Sequence, residues 1–68
     1  MYTVYDLKDD YRATFYSKED ALAAAINHCV TEGLYVRDVL NEIEGSSAII
    51  YIDPDDNTLQ EILIYQVN

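Results

Sequence analysis

One segment of this chain is unambiguous, and it limits every architecture the rest can adopt. Ser17-Lys18-Glu19-Asp20 places a hydroxyl where a helix N-cap is needed and carboxylates in the first turn, where they accept from free N–H groups and complement the helix dipole. Ala21, Leu22, Ala25, Ile26, Cys29 and Val30 then repeat at i, i+1, i+4, i+5, which is one helical stripe, and Gly33 supplies a stop. The spacing predicts a single amphipathic helix over residues 18–32.

Strand patterns lie on both sides of it. Residues 2–7 and 11–16 are rich in Tyr, Thr, Val and Phe and flank Lys8-Asp9-Asp10, the pattern of a hairpin. Residues 48–53 and 59–67 are strand-like and are separated by Asp53-Pro54-Asp55-Asp56-Asn57, where proline presets φ and Asp or Asn side chains cap nearby backbone. Residues 34–44 suit either a short helix, through Val36, Val39, Leu40 and Ile43, or a strand entering a turn at Gly45-Ser46. The strand is preferred because a turn and a further strand follow at once. The expected fold is a single α+β domain over residues 1–68, a mainly antiparallel sheet with one helix on one face. Its order is β-β-α-β-β-β, with β-β-α-α-β-β as the alternative.

A lone helix covers one face of a sheet and leaves the other open. Alternation assigns Val4, Ala13, Phe15, Ala48, Ile50, Ile52, Ile62 and Ile64 to the covered face. It assigns Tyr5, Tyr16, Ile49, Tyr51, Leu63, Tyr65 and Val67 to the open one. Tyrosine combines a large apolar body with a polar tip, so Tyr5, Tyr16, Tyr51, Leu63 and Tyr65 are candidates for a partner or homodimer surface.

Chain direction makes a second assignment. Each element reverses the one before it, which brings the turn after the first strand, the helix C-terminus and the Pro54 turn to the same end. Asp9, Asp10, Glu32, Asp53, Asp55 and Asp56 should therefore form an acidic pole, to which the helix C-terminus adds partial negative charge. Such a pole attracts a cationic partner surface. A weak echo accompanies it: residues 4–10 and 50–56 each run an apolar-Tyr pair into a paired-aspartate turn.

Composition narrows the function classes. Four Lys+Arg against thirteen Asp+Glu give a formal charge of −9, and only Lys8, Arg12, Lys18 and Arg37 could neutralise phosphates, which argues against direct nucleic-acid binding and against an anionic membrane surface. A hydrophobic fraction of 50% sets the chain apart from a disordered acidic tail. A chain of 68 residues buries only about 60% of the surface its unfolded form exposes, so any site must lie at the surface, in a groove or between subunits. Cys29, the single cysteine, excludes an internal disulfide and fits a reducing compartment. With no basic-then-apolar leader pattern after Met1, the expected location is cytoplasmic, in the host's cytoplasm if the chain is phage-encoded.

No catalytic constellation stands out. His28 and Cys29 are adjacent helical residues and diverge by about 100°; Cys29 falls on the core stripe and His28 at a solvated or flank position. Asp53-x-Asp55-x-Asn57 opens like a calcium loop, but Thr58 and Ile64 stand where Gly and a bidentate Glu are needed. No metal set, cofactor or catalytic residue is expected, and a binding protein is favoured over an enzyme. In size and charge balance the chain is similar to the small antirestriction and anti-CRISPR proteins of phages, several of which act as nucleic-acid mimics. That resemblance implies an inhibitor that engages the basic, nucleic-acid-binding surface of a partner protein. The alternative is a structural or regulatory accessory protein, for example a homodimer, acting through the tyrosine-rich face.

Overall fold

The computed structural model describes residues 1–41 and 46–67. The elements are β1 (Tyr2–Asp6), β2 (Tyr11–Phe15), α1 (Lys18–Thr31), β3 (Tyr35–Asn41), β4 (Ser47–Asp53) and β5 (Thr58–Gln66). This is the α+β order expected from the sequence, with residues 35–41 as a strand. Glu42, Ile43, Glu44 and Gly45, and so the first residue of the expected Gly45-Ser46 turn, lie outside the described residues.

The helix begins and ends as its local chemistry dictates. Ser17 is the N-cap and its hydroxyl accepts from the Asp20 N–H at 3.1 Å. At the other end Gly33 adopts φ +70°, in the left-handed region that glycine enters without a side-chain penalty. Leu34 N–H then reaches the Cys29 carbonyl at 2.8 Å and Gly33 N–H the Val30 carbonyl at 3.2 Å, so two terminal carbonyls are satisfied as the chain turns into β3.

The five strands form one antiparallel sheet in the order β2-β1-β5-β4-β3. β1 sits inside the sheet between β2 and β5, and β2 and β3 are the edges. Edge β3 is interrupted by a register shift between Val36 and Asp38, a device that discourages further strand pairing. The core lies between helix and sheet, where Ala21, Ala25 and Cys29 of α1 meet Val4, Ile49, Tyr51, Ile62 and Ile64, all fully buried. Tyr2, Tyr11, Phe15, Leu22 and Leu34 close its margins. The small residues on the helix stripe let the backbone come close to the sheet, and Tyr51 fills the space.

The faces of β4 are the reverse of those read from the sequence. Ile49 and Tyr51 point under the helix, whereas Ala48, Ile50 and Ile52 belong to the open face. The physical reason is that β4 is apolar at both parities, so alternation alone has no preference. Pairing decides it: Ile49 stands opposite Ile62, and Ile50 opposite Glu61. Tyr16 is also misplaced by alternation, since β2 ends at Phe15 and the Tyr16 side chain stands 87% exposed.

Candidate functional site

Two features compete for the role of a site, the acidic end and the open sheet face. The acidic end is built by two hairpin turns and the last turn of α1. In the first turn the Asp6 carboxylate accepts from the Lys8 N–H at 3.2 Å, and the chain returns through Asp10 at φ 54°. In the second the Asp53 carboxylate accepts from the Asp55 N–H at 3.0 Å, and the chain returns through Asn57 at φ 57°. Asp and Asn tolerate this left-handed backbone better than other side-chain-bearing residues, which is why they occupy both positions. The correspondence therefore runs Asp6–Asp10 with Asp53–Asn57, one residue out of step with the echo seen in the sequence.

The turns meet through Lys8, whose ammonium donates to Asp53 and to Asp56, the latter at 2.8 Å. The pairing with Lys8 draws the Asp53 carboxyl below its usual range, helped by the Asp55 N–H, and holds Asp56 at about 2, helped by Thr58. Lys8 is raised in return, first by its bond to Asp53 and then by that to Asp56. The helix reaches the same end because His28 Nε2 lies 3.0 Å from Asp6 Oδ2 and 3.4 Å from Asp9 Oδ2. The two turns and the last turn of α1 thus meet at one end, with Glu32 as the helix C-cap, but Asp53 and Asp56 are tied up by Lys8. The exposed carboxylates of Asp10 and Asp55 have no cationic partner among the described residues.

Beneath this surface is a polar cluster that the sequence reading missed. Asp6 is fully buried at the end of β1, and the Tyr51 hydroxyl donates to its Oδ1 at 2.9 Å and Oδ2 at 3.0 Å. The His28 side chain is only 11% exposed and its ring stacks on Tyr11, with centroids 4.3 Å apart and planes 7° from parallel. Of the two expected positions of His28, solvated or flank, this is the flank: the residue sits where α1 crosses the first turn, and its nitrogen serves two carboxylates. Burial, followed by the bond to Asp6 and the charge of that carboxylate, raises the Tyr51 phenol. Burial also raises the Cys29 thiol, with Asp6 and Asp9 adding to it, so the cysteine lies in the core as an inert thiol. The signal that could have revealed the cluster was Asp6, an acidic residue at the inward parity that otherwise holds Tyr2 and Val4.

The open face carries Tyr5, Leu63 and Tyr65 as expected, with Tyr5 directly opposite Leu63 across the β1–β5 pair. Tyr51 does not belong to it, being in the core. Residues not singled out from the sequence complete it. Tyr5, Leu7, Ile50, Leu59, Gln60, Glu61 and Leu63 line an open groove of about 410 Å³. Leu59 and Leu63 are 56% and 40% exposed, and the Arg12 guanidinium lies over the Tyr5 ring at 4.6 Å. Because Leu7 is in the first turn and Leu59 follows the second, the groove runs into the acidic end.

No protein-family profile, no curated protein and no solved structure matches this chain. None of the described helices is long and apolar enough to cross a membrane.

Proposed function

We propose that the chain is a protein-binding module that seats an apolar projection of a basic partner in the open-face groove and ranges the partner's cations along the acidic end. The observation that carries this reading is continuity. Leu7 and Leu59 belong at once to the groove and to the stretches that flank the carboxylates of Asp9, Asp10 and Asp55. A surface that is apolar at its centre and charged at its rim is the usual anatomy of a specific interface, and a charge of −9 accelerates encounter with a basic partner. The same charge opposes a second copy of the chain as occupant. Basic surfaces of this kind are those with which proteins hold nucleic acid, so occupation by this chain is inhibitory to the partner. Since Lys8 neutralises part of the acidic end, the apolar groove carries more of the affinity than a phosphate-mimicking array would.

Capture from an extract of the native host, followed by affinity measurement against salt, tests the reading. The expected partner is basic, its affinity falls with salt, Leu63→Asp abolishes binding, and Asp10→Asn with Asp55→Asn slows association. Binding that is indifferent to all of these changes overturns it. A dimer by sedimentation equilibrium that Leu63→Asp dissolves would assign the groove to a second copy instead.

A further inference from the structure

The convergence of Asp6, Asp9 and His28 does more than close the helix onto the sheet. One imidazole nitrogen and one oxygen from each carboxylate lie within 4.8 Å of one another. They come from three places in the fold: the end of β1, the first turn and the last turn of α1. The separations of 3.0 and 3.4 Å from Nε2 to the two oxygens are edge lengths of a coordination polyhedron with bonds of about 2.1 Å. We propose that these three side chains bind a divalent transition-metal ion of the zinc class.

The surroundings suit such an ion. A single N–H of His28 now faces two carboxylates, and the Lys8 ammonium is committed to Asp53 and Asp56, so a cation supplies charge that the described side chains do not. The ligands are held in advance: Tyr51 donates to both oxygens of Asp6, and Tyr11 stacks on the imidazole, the kind of outer support that fixes ligand orientation. Access is from the Asp9 side, whose side chain is one-third exposed. That side leaves room for water ligands. One nitrogen with two carboxylates matches zinc or its first-row neighbours, whereas calcium requires six to eight oxygens. On binding, the ring coordinates through Nε2 as the neutral imidazole with its proton on Nδ1; a neutral ring moves its Nε2 proton there, and an imidazolium releases it to solvent.

His28 is the single histidine, so its imidazole resonances report on this site alone. Zinc chloride is titrated into metal-free protein near neutral pH, with calcium chloride in parallel. The expected result is a saturable shift of the His28 signals complete at one equivalent of zinc, with none from calcium. Asp9→Asn, a change in an exposed turn that leaves the fold intact, weakens zinc binding about tenfold or more, given that losing even an outer-shell partner costs 10–100-fold. Asp55→Asn leaves it unchanged. His28 signals that do not move with excess zinc in the folded protein, or an Asp9→Asn variant that binds as tightly as wild type, would overturn the site.

Discussion

The two hairpin turns have the same local design and opposite fates. Each opens with an aspartate whose carboxylate receives the N–H two residues on, and each closes with an Asp or Asn in the left-handed region. Yet Asp6 is fully buried, while Asp53 keeps part of its carboxylate in water and pairs with Lys8. The difference comes from position in the sheet. β1 lies beneath α1, so the carboxylate that ends it meets His28 and Tyr51, whereas β4 carries its turn beyond the cover of the helix. Turn geometry is thus a local property, and what an aspartate in the turn does is decided by elements far along the chain.

The sharpest way to break this comparison is to remove both carboxylates in turn. Asp6→Ala leaves the Tyr51 hydroxyl and the His28 nitrogen without their acceptor in the interior, and loss of one member of a buried polar set costs about 3 kcal/mol or more. Asp53→Ala, at a solvent-screened ion pair, shifts stability far less. Urea unfolding of the two variants measures the contrast. Equal midpoints would mean that burial of Asp6 contributes nothing.

Tyr51→Phe probes the same cluster from the other side. The ring still fills the core, but Asp6 loses a donor to both of its oxygens, for a loss of about 1–2 kcal/mol. Its pH dependence has a definite sign. The phenol is raised above its ordinary value of 10.0 in the folded state, so the stability it contributes is complete below that value and declines as pH rises beyond it. The gap between wild type and Tyr51→Phe should therefore narrow at alkaline pH. A gap that widens there would contradict the buried phenol–carboxylate pairing.

How much of this was legible beforehand follows from the range of the interactions. The helix was, because Ser17, the alanine-rich stripe and Gly33 are all within a single local segment. The strand at residues 35–41 was legible only as the preferred of two readings, because Val36, Val39 and Leu40 suit a helix as well and the choice rested on the turn and strand that follow. The faces of β4 were not, since Ala48, Ile49, Ile50, Tyr51 and Ile52 offer apolar side chains to both sides and only the register with β5 chooses. Chain reversal correctly gathered the acidic turns, but the neutralising bond from Lys8 to Asp56 spans 48 positions and the bond from His28 to Asp6 spans 22. Spacing motifs see neither. Of the candidate binding face, Tyr5, Leu63 and Tyr65 were read from alternation, while Leu7, Ile50 and Leu59 joined it through cross-strand pairing and turn placement.

A smaller effect sharpens the account of the second turn. Asp53 and Asp56 are lowered in the folded state, chiefly by Lys8, so their contribution is present above the ordinary value of 3.8 and is lost as pH falls towards about 2, the folded value of Asp56. Lys8→Met removes that contribution. Thermal unfolding between about pH 4 and 2 should therefore fall less steeply for Lys8→Met than for wild type. Parallel curves would mean that the pairing has no weight in solution.

The smallest effect is that of salt, and it separates the charge of the whole end from the pairing within it. With thirteen acidic residues against four basic ones, repulsion among carboxylates opposes the fold, and at about 0.1 M salt it is screened beyond a distance of about 10 Å. Screening also weakens the bonds of Lys8 to Asp53 and Asp56, which offsets part of the gain. Wild type should thus rise slightly in melting temperature from low to moderate salt. Lys8→Met, which leaves both carboxylates unpaired and has no ion pair to lose, should rise more. A larger gain in wild type than in the variant would show that repulsion is governed elsewhere on the surface, and would remove the electrostatic half of the contrast between the two turns.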